Sequence, residues 1–193
     1  MIRTTASRRR PHRSPVVVLL LAVAAAAAAA LVLLPAPAPV HVPRTAGGAD
    51  GVVGAGVTVF DEVAAVTNLD PGLLSALRAA ATAAAGDGVG LVVNSGWRSR
   101  AYQEQLLRDA VAEYGSEDEA ARWVATADTS PHVSGQAVDV GPPTAAAWLS
   151  RHGAGYGLCR IYHNEPWHVE LRAADAGCPR PYADPTEDPR MQR

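Results

Sequence analysis

Between residues 57 and 178 the apolar positions fall into short periodic blocks, each predicting one element. Asp70-Pro71 opens a helix, with the aspartate as cap and the proline at the first helical position, and the alanine-rich stretch carries it to about Ala85 before Gly86. Val89 to Val93 reads as a strand. Ser99 caps a second helix that runs to about Tyr114 and stops at Gly115, and Ser116-Glu-Asp-Glu119 has the form of a capping box for a third, ending near Ala127. Thr144 to His152 predicts a short fourth helix. Leu158 to Tyr162 and Trp167 to Leu171 predict a hairpin lying beside a strand at Gln136 to Val140. The sum is an α+β fold, a small antiparallel sheet packed with several helices. The alanine runs are helix formers and make no repeat.

The ends follow different patterns. Residues 1–14 form a basic tail carrying Arg3, Arg8, Arg9, Arg10 and Arg13, and residues 15–35 contain an uncharged run from Val16 to Leu34. As a helix that run spans about 28 Å, close to the ~30 Å hydrocarbon core, so it predicts a membrane anchor with the arginines on the cytoplasmic side. A cleaved signal peptide is the alternative, but its apolar region is usually only about 7–15 residues, and Pro39 directly follows the small-residue site Ala36-Pro-Ala38. Residues 36–56 read as a Pro/Gly-rich linker, extended from Pro35 to Pro43 and flexible to about Val57. Residues 179–193, with four prolines and little to bury, predict a mobile tail.

Composition removes some functions. The net charge is −2 and the basic residues beyond the N-terminal tract are scattered, so no nucleic-acid partner is expected. The chain contains no lysine, which excludes Ser-x-x-Lys acyl-transfer chemistry. The only cysteines, Cys159 and Cys178, predict one disulfide if the domain lies outside the cytoplasm and two free thiols if it does not. A monomer is expected.

The candidate chemistry sits in Ser130-Pro-His132-Val-Ser-Gly135-Gln-Ala-Val-Asp139 and in Glu165-Pro166-Trp167-His168. Together they supply two imidazoles and one carboxylate as ligands, plus a second carboxylate placed as a base, the inventory of a hydrolytic Zn2+ site with one open position. Asp139 is expected on a rigid strand, and Gly135 lets the chain turn His132 back toward it. Pro166 biases Glu165 toward extended backbone, so that Glu165 and His168 reach the site from a strand start. His152 and His163 are rival ligands. His152 lies near a helix end, where an imidazole often caps carbonyls, and His163 lies in a turn. Trp97, Trp148 and Trp167 are expected in the core, although Trp167 could wall a cleft.

Ser-x-His-x-x-Gly-x-Ala-x-Asp followed by Glu-x-x-His, with Ser95-Gly96-Trp97-Arg98-Ser99 upstream, resembles the VanY-type zinc D-alanyl-D-alanine carboxypeptidases, relatives of the VanX dipeptidases and of the Hedgehog-like fold. The resemblance covers about Leu69 to Leu171. It implies zinc on His132, Asp139 and His168, Glu165 as general base, and Arg98 in the substrate cleft, with Ser130 and Gln105 as weaker substrate contacts. Trp97 stands where the family commonly carries tyrosine. The implied substrate is the peptide stem of peptidoglycan at the outer face of the membrane. An endopeptidase, a dipeptidase or a non-catalytic wall-binding module are the other readings; the last is disfavoured because a structural metal needs no spare carboxylate.

Overall fold

In the computed structural model the described residues are 47–173 and 177–192. The basic tail, the apolar run and the proline-rich part of the linker lie outside them. No helix among the described residues is long and apolar enough to cross a membrane.

Among the described residues five α-helices are formed: α1 (Ala64–Thr67), α2 (Pro71–Gly86), α3 (Arg100–Tyr114), α4 (Glu117–Ala121) and α5 (Pro143–His152). Their starts are chemically marked. Asp70 Oδ1 accepts from the amides of Gly72 and Leu73, Ser99 Oγ from Tyr102, and Ser116 Oγ from Glu119, each satisfying an amide that has no partner within the helix. The third predicted helix stops at Ala121 rather than near Ala127, because carbonyls beyond it are claimed from α3: Gln103 donates to Ala125 O and Arg100 to Ala127 O.

Four strands, β1 (Val92–Ser95), β2 (Ala137–Gly141), β3 (Leu158–Arg160) and β4 (His168–Leu171), form an antiparallel sheet in the order β1-β2-β4-β3. β1 begins three residues later than expected, since Val89 N still bonds Ala84 O in the cap of α2. The alternation of side chains across β2 and β4 divides the sheet into two chemical faces. Val138 pairs with Val169 on one face, and this face packs with Val93, Val140, Leu73 and Leu77 of α2, and Trp148 and Leu149 of α5. Leu73 and Leu77 are fully buried, and burying each contributes about 1.5–3 kcal/mol. On the opposite face Asp139 pairs with His168, and Ala137 with Glu170. The core thus holds rigid the strands that carry the polar row.

Two expectations are corrected. The linker does not stay free until Val57: Gly48–Asp50 makes a 3-10 turn, Ser99 donates through its amide to Asp50 O and through its hydroxyl to Asp50 Oδ1, and Val59 is fully buried. The C-terminal segment is not a loose tail. Tyr182 bridges Tyr162, and 3-10 turns at Pro185–Glu187 and Pro189–Met191 are capped by Asp184 and Asp188. Each Asp-Pro pair repeats the start signal of α2, so these prolines build turns instead of preventing structure.

Cys159 and Cys178 are joined in a disulfide. It closes a loop of 19 residues' separation around Glu165 and His168, worth ~3 kcal/mol in the chain-entropy model. Replacing both cysteines by serine is expected to lower stability by about that amount in denaturant titration. An unchanged midpoint and slope would contradict it.

Candidate metal centre

Asp139 and His168 meet because they are direct cross-strand partners in the β2–β4 pair. Oδ1 of Asp139 lies 3.2 Å from Nδ1 of His168. His132 arrives from the turn before β2. Gly135, at φ 72°, closes that turn, and a Cβ there would stand 2.5 Å from Asn68 O, so a side chain is excluded twice over. Nε2 of His132 consequently lies 3.2 Å from Nδ1 of His168 and 3.5 Å from Oδ1 of Asp139. Ligand atoms of the three buried residues all fall within 4.8 Å of one another.

The outer nitrogens of both imidazoles are engaged. His132 Nδ1 is 2.9 Å from Gly96 O, and His168 Nε2 is 3.3 Å from Glu170 Oε1. Both acceptors lack hydrogens, so each outer nitrogen must be the N–H and each inner nitrogen the lone pair. Three lone pairs then face one point. Only a proton or a cation relieves their repulsion, and two imidazoles with one carboxylate, each imidazole backed by an oxygen acceptor, are the donor set of a three-ligand zinc site. The residues fit the metal.

Titration of the cluster reads the same field. Burial works against a charge on His168, but the hydrogen bonds to Asp139 and Glu170 outweigh it and raise this imidazole to about 9. Burial and the nearby Arg98 cation push His132 down. Asp139 stays well below the usual carboxylate range: burial is overcome by His132, His168 and Arg98. Glu165 behaves oppositely. Burial and the negative charge of Asp139 exceed the pull of His168 and Arg98 and lift its carboxyl to about 7. Glu165 Oε2 lies 3.9 Å from His168 Nδ1, beside the three inward atoms. Two carboxylates in one pocket are thereby set apart, one held ionised and one ready to exchange a proton near neutrality.

Arg98, Ser130, His132, Asp139, Glu165 and His168 all line one small cavity of about 40 Å3. Arg98 donates from Nη2 to Asp139 Oδ2 at 2.9 Å, from Nε to Ser95 Oγ at 2.8 Å and from Nη1 to Gln103 Oε1 at 3.1 Å. It holds the ligand carboxylate and leaves one further hydrogen on each terminal nitrogen. Ser130 Oγ is buried with no partner among the described residues, and Ser130 is one of the residues that line the cavity.

The remaining candidates lie elsewhere. Gln105 is not among the lining residues; Gln103 is, because positions two apart on α3 point to different sides. Trp167 is 38% exposed and borders a separate cavity with Pro143 and Arg160, so it neither enters the core nor walls the metal pocket. His152 packs its ring 4.7 Å from that of Trp148, and His163 is exposed; neither joins the cluster. Sequence reasoning missed Glu170, whose Trp-His-Val-Glu spacing puts it on the same strand face as His168, and it missed Gln103, Pro185 and Met191 as lining residues. Beyond the small cavity, and sharing Val124, Ala125, Pro185 and Met191 with it, runs a groove of about 700 Å3.

Residues 66–173 match the family profile described as VanY, D-alanyl-D-alanine carboxypeptidase. A D-alanyl-D-alanine carboxypeptidase of Enterococcus faecalis is 32% identical over 119 residues, which cover 49% of this chain and 44% of that protein. The chain therefore spans less than half the length of this curated relative. Among solved structures, a zinc-bound mutant of the vancomycin-resistance D,D-pentapeptidase VanY from a VanB-type cassette is 28% identical with a TM-score of 0.53, covering 56% of this chain and 75% of the other. VanYB in complex with D-alanine-D-alanine matches at 28% identity and a TM-score of 0.53, over 56% and 74% of the two chains.

Proposed function

Since the chain belongs to the VanY D-alanyl-D-alanine carboxypeptidase family, we propose that it is a zinc-dependent carboxypeptidase that removes the terminal D-alanine from peptidoglycan peptide stems. The observation that carries this reading is the convergence of His132, Asp139 and His168 with a fourth group, Glu165, standing beside them with its carboxyl raised to about 7.

His132 through Nε2, His168 through Nδ1 and Asp139 through its carboxylate would hold the zinc. When bound, the ion supplies Lewis-acid chemistry, polarising the scissile carbonyl and acidifying water. Glu165 takes the proton from the attacking water and returns it to the leaving amine, a task for which it stands beside the three inward atoms without being one of them. Arg98 keeps Asp139 ionised and oriented, and its remaining hydrogens reach toward negative charge in the cavity, either the substrate carboxylate or the oxygen developing at the scissile bond. Ser130 Oγ offers one more hydrogen bond to the substrate. No covalent enzyme intermediate is needed.

The reading includes a domain held outside the cytoplasm. The Cys159–Cys178 disulfide and the arginine-led apolar run at residues 16–34 support that location.

Incubation with muropeptide stems of defined length, followed by mass spectrometry, tests the substrate. Loss of one terminal D-alanine is expected, and products cut inside the stem would replace the carboxypeptidase assignment by an endopeptidase. Activity is also expected to survive penicillin, to vanish with a chelator and to return on added zinc, since a lysine-free chain has no lysine-activated serine to acylate. A stable penicilloyl adduct that blocks turnover would reject the metal route.

A further inference from the structure

The family match ends at residue 173, yet residues well beyond it reach back to one metal ligand. Glu170, buried on β4 and on the same face as His168, accepts from His168 Nε2 through Oε1. Arg190 grips both oxygens of that carboxylate: Nη1 donates to Oε2 at 2.7 Å and Nη2 to Oε1 at 3.0 Å. Arg190 is itself held by Asp188, fully buried, whose two oxygens each accept from Nε at 3.0 Å. Asp188 Oδ2 also accepts from the Tyr162 hydroxyl at 3.1 Å, and the Tyr162 ring lies 5.1 Å from that of His168. His168, Glu170, Arg190, Asp188 and Tyr162 form a closed ring of contacts around a single imidazole.

We infer that Arg190 is a positioning residue for the metal centre, acting through Glu170 to keep the Nδ1 lone pair of His168 turned toward His132 and Asp139. The inference rests on the zinc reading above. An imidazole ligand is oriented by what its outer nitrogen donates to, and outer partners of this kind typically matter 10–100-fold for metal affinity. A buried carboxylate keeps a fixed plane only if both oxygens are bound, and the planar guanidinium does that where a point charge does not. Arg172 also pairs with Glu170, at 2.9 Å, but touches only Oε2, so it leaves the oxygen facing His168 unfixed. The same C-terminal segment places Pro185 and Met191 in the lining of the metal cavity, so its docking and the shape of the site are set together.

Zinc dissociation constants of the full-length chain, from competition with a fluorescent chelator, and the visible spectrum of the cobalt-substituted protein test this on wild type, R190A, R172A, E170Q and R190A/E170Q. Thermal unfolding of each metal-free protein reports whether the variants fold. R190A is expected to weaken zinc about 10–100-fold and to alter the cobalt spectrum, whereas R172A should stay within about threefold. The double variant should bind no worse than E170Q alone, because both changes remove one pathway. Folded R190A with wild-type affinity and spectrum, or a double variant whose losses simply add, would overturn the inference. If R190A does not fold, R190K, which keeps a cation opposite Asp188, replaces it in the comparison, and unchanged zinc affinity there is equally fatal. Wild type failing to bind one zinc would overturn the zinc reading and this inference with it, whereas tight wild-type binding that R190A leaves untouched overturns this inference alone.

Discussion

Replacing His168 by alanine is expected to remove zinc from the protein and to lower kcat/KM by on the order of 10⁴-fold or more, because water without the ion returns from a pKa of roughly 7 toward 15.7. His168 is the residue on which the centre turns. Its Nδ1 stands 3.2 Å from both other ligand atoms, and its backbone is fixed by pairing with Asp139 in the middle of the sheet. Elemental analysis should find less than one zinc per chain, and added zinc should not restore turnover at micromolar levels. The variant also deprives Glu170 of a donor, so a fall in stability accompanies the loss. Asp139→Asn separates the two effects: it keeps the side-chain size, leaves the His168–Glu170 contact intact, and is still expected to bind zinc weakly. Either variant holding stoichiometric zinc and near-native turnover would sink the assigned ligand set.

Glu165→Gln is expected to have the complementary phenotype, with zinc retained and hydrolysis reduced by about 10² to 10⁴. Glutamine preserves volume and hydrogen bonding but cannot take up a proton. The carboxyl lies next to the inward atoms without being one of them, and burial beside Asp139 holds it at about 7, so removing it deletes proton transfer and not metal binding. The fall should appear in kcat with KM little changed. Near-native turnover by Glu165→Gln with one zinc bound would show that another group carries the proton, and Glu165 would leave the mechanism.

Much of the site was legible because the spacing of its ligands obeys local rules. His132 and Asp139 are separated by a turn that only glycine completes and by a strand start, while Glu165 and His168 flank a proline that keeps them out of a helix. The residue types then restrict the chemistry to a three-ligand metal with a spare carboxylate. Gln103 was not legible. The family resemblance pointed to Gln105, and which of the two positions faces the site depends on how the helix is rotated against the sheet, which its weakly apolar pattern leaves open. Trp167 was misplaced for a similar reason: a tryptophan beside a buried strand can turn to either side of it, and its neighbours decide.

By itself the sequence determined the local structure. The Asp70, Ser99 and Ser116 caps, the glycine stops and the alternation along β2 and β4 all depend on residues within a few positions of one another. The tertiary structure alone decided which distant groups serve those ligands. Arg98 holds Asp139 across 41 residues, Arg190 holds Glu170 across 20, and Gly96 O meets His132 across 36. No periodicity encodes such pairs, because whether a guanidinium finds its carboxylate depends on where the folded backbone carries both. A segment with four prolines and few apolar residues reads as a tail until the buried Glu170 on β4 holds its Arg190 and the Tyr162 hydroxyl holds its Asp188.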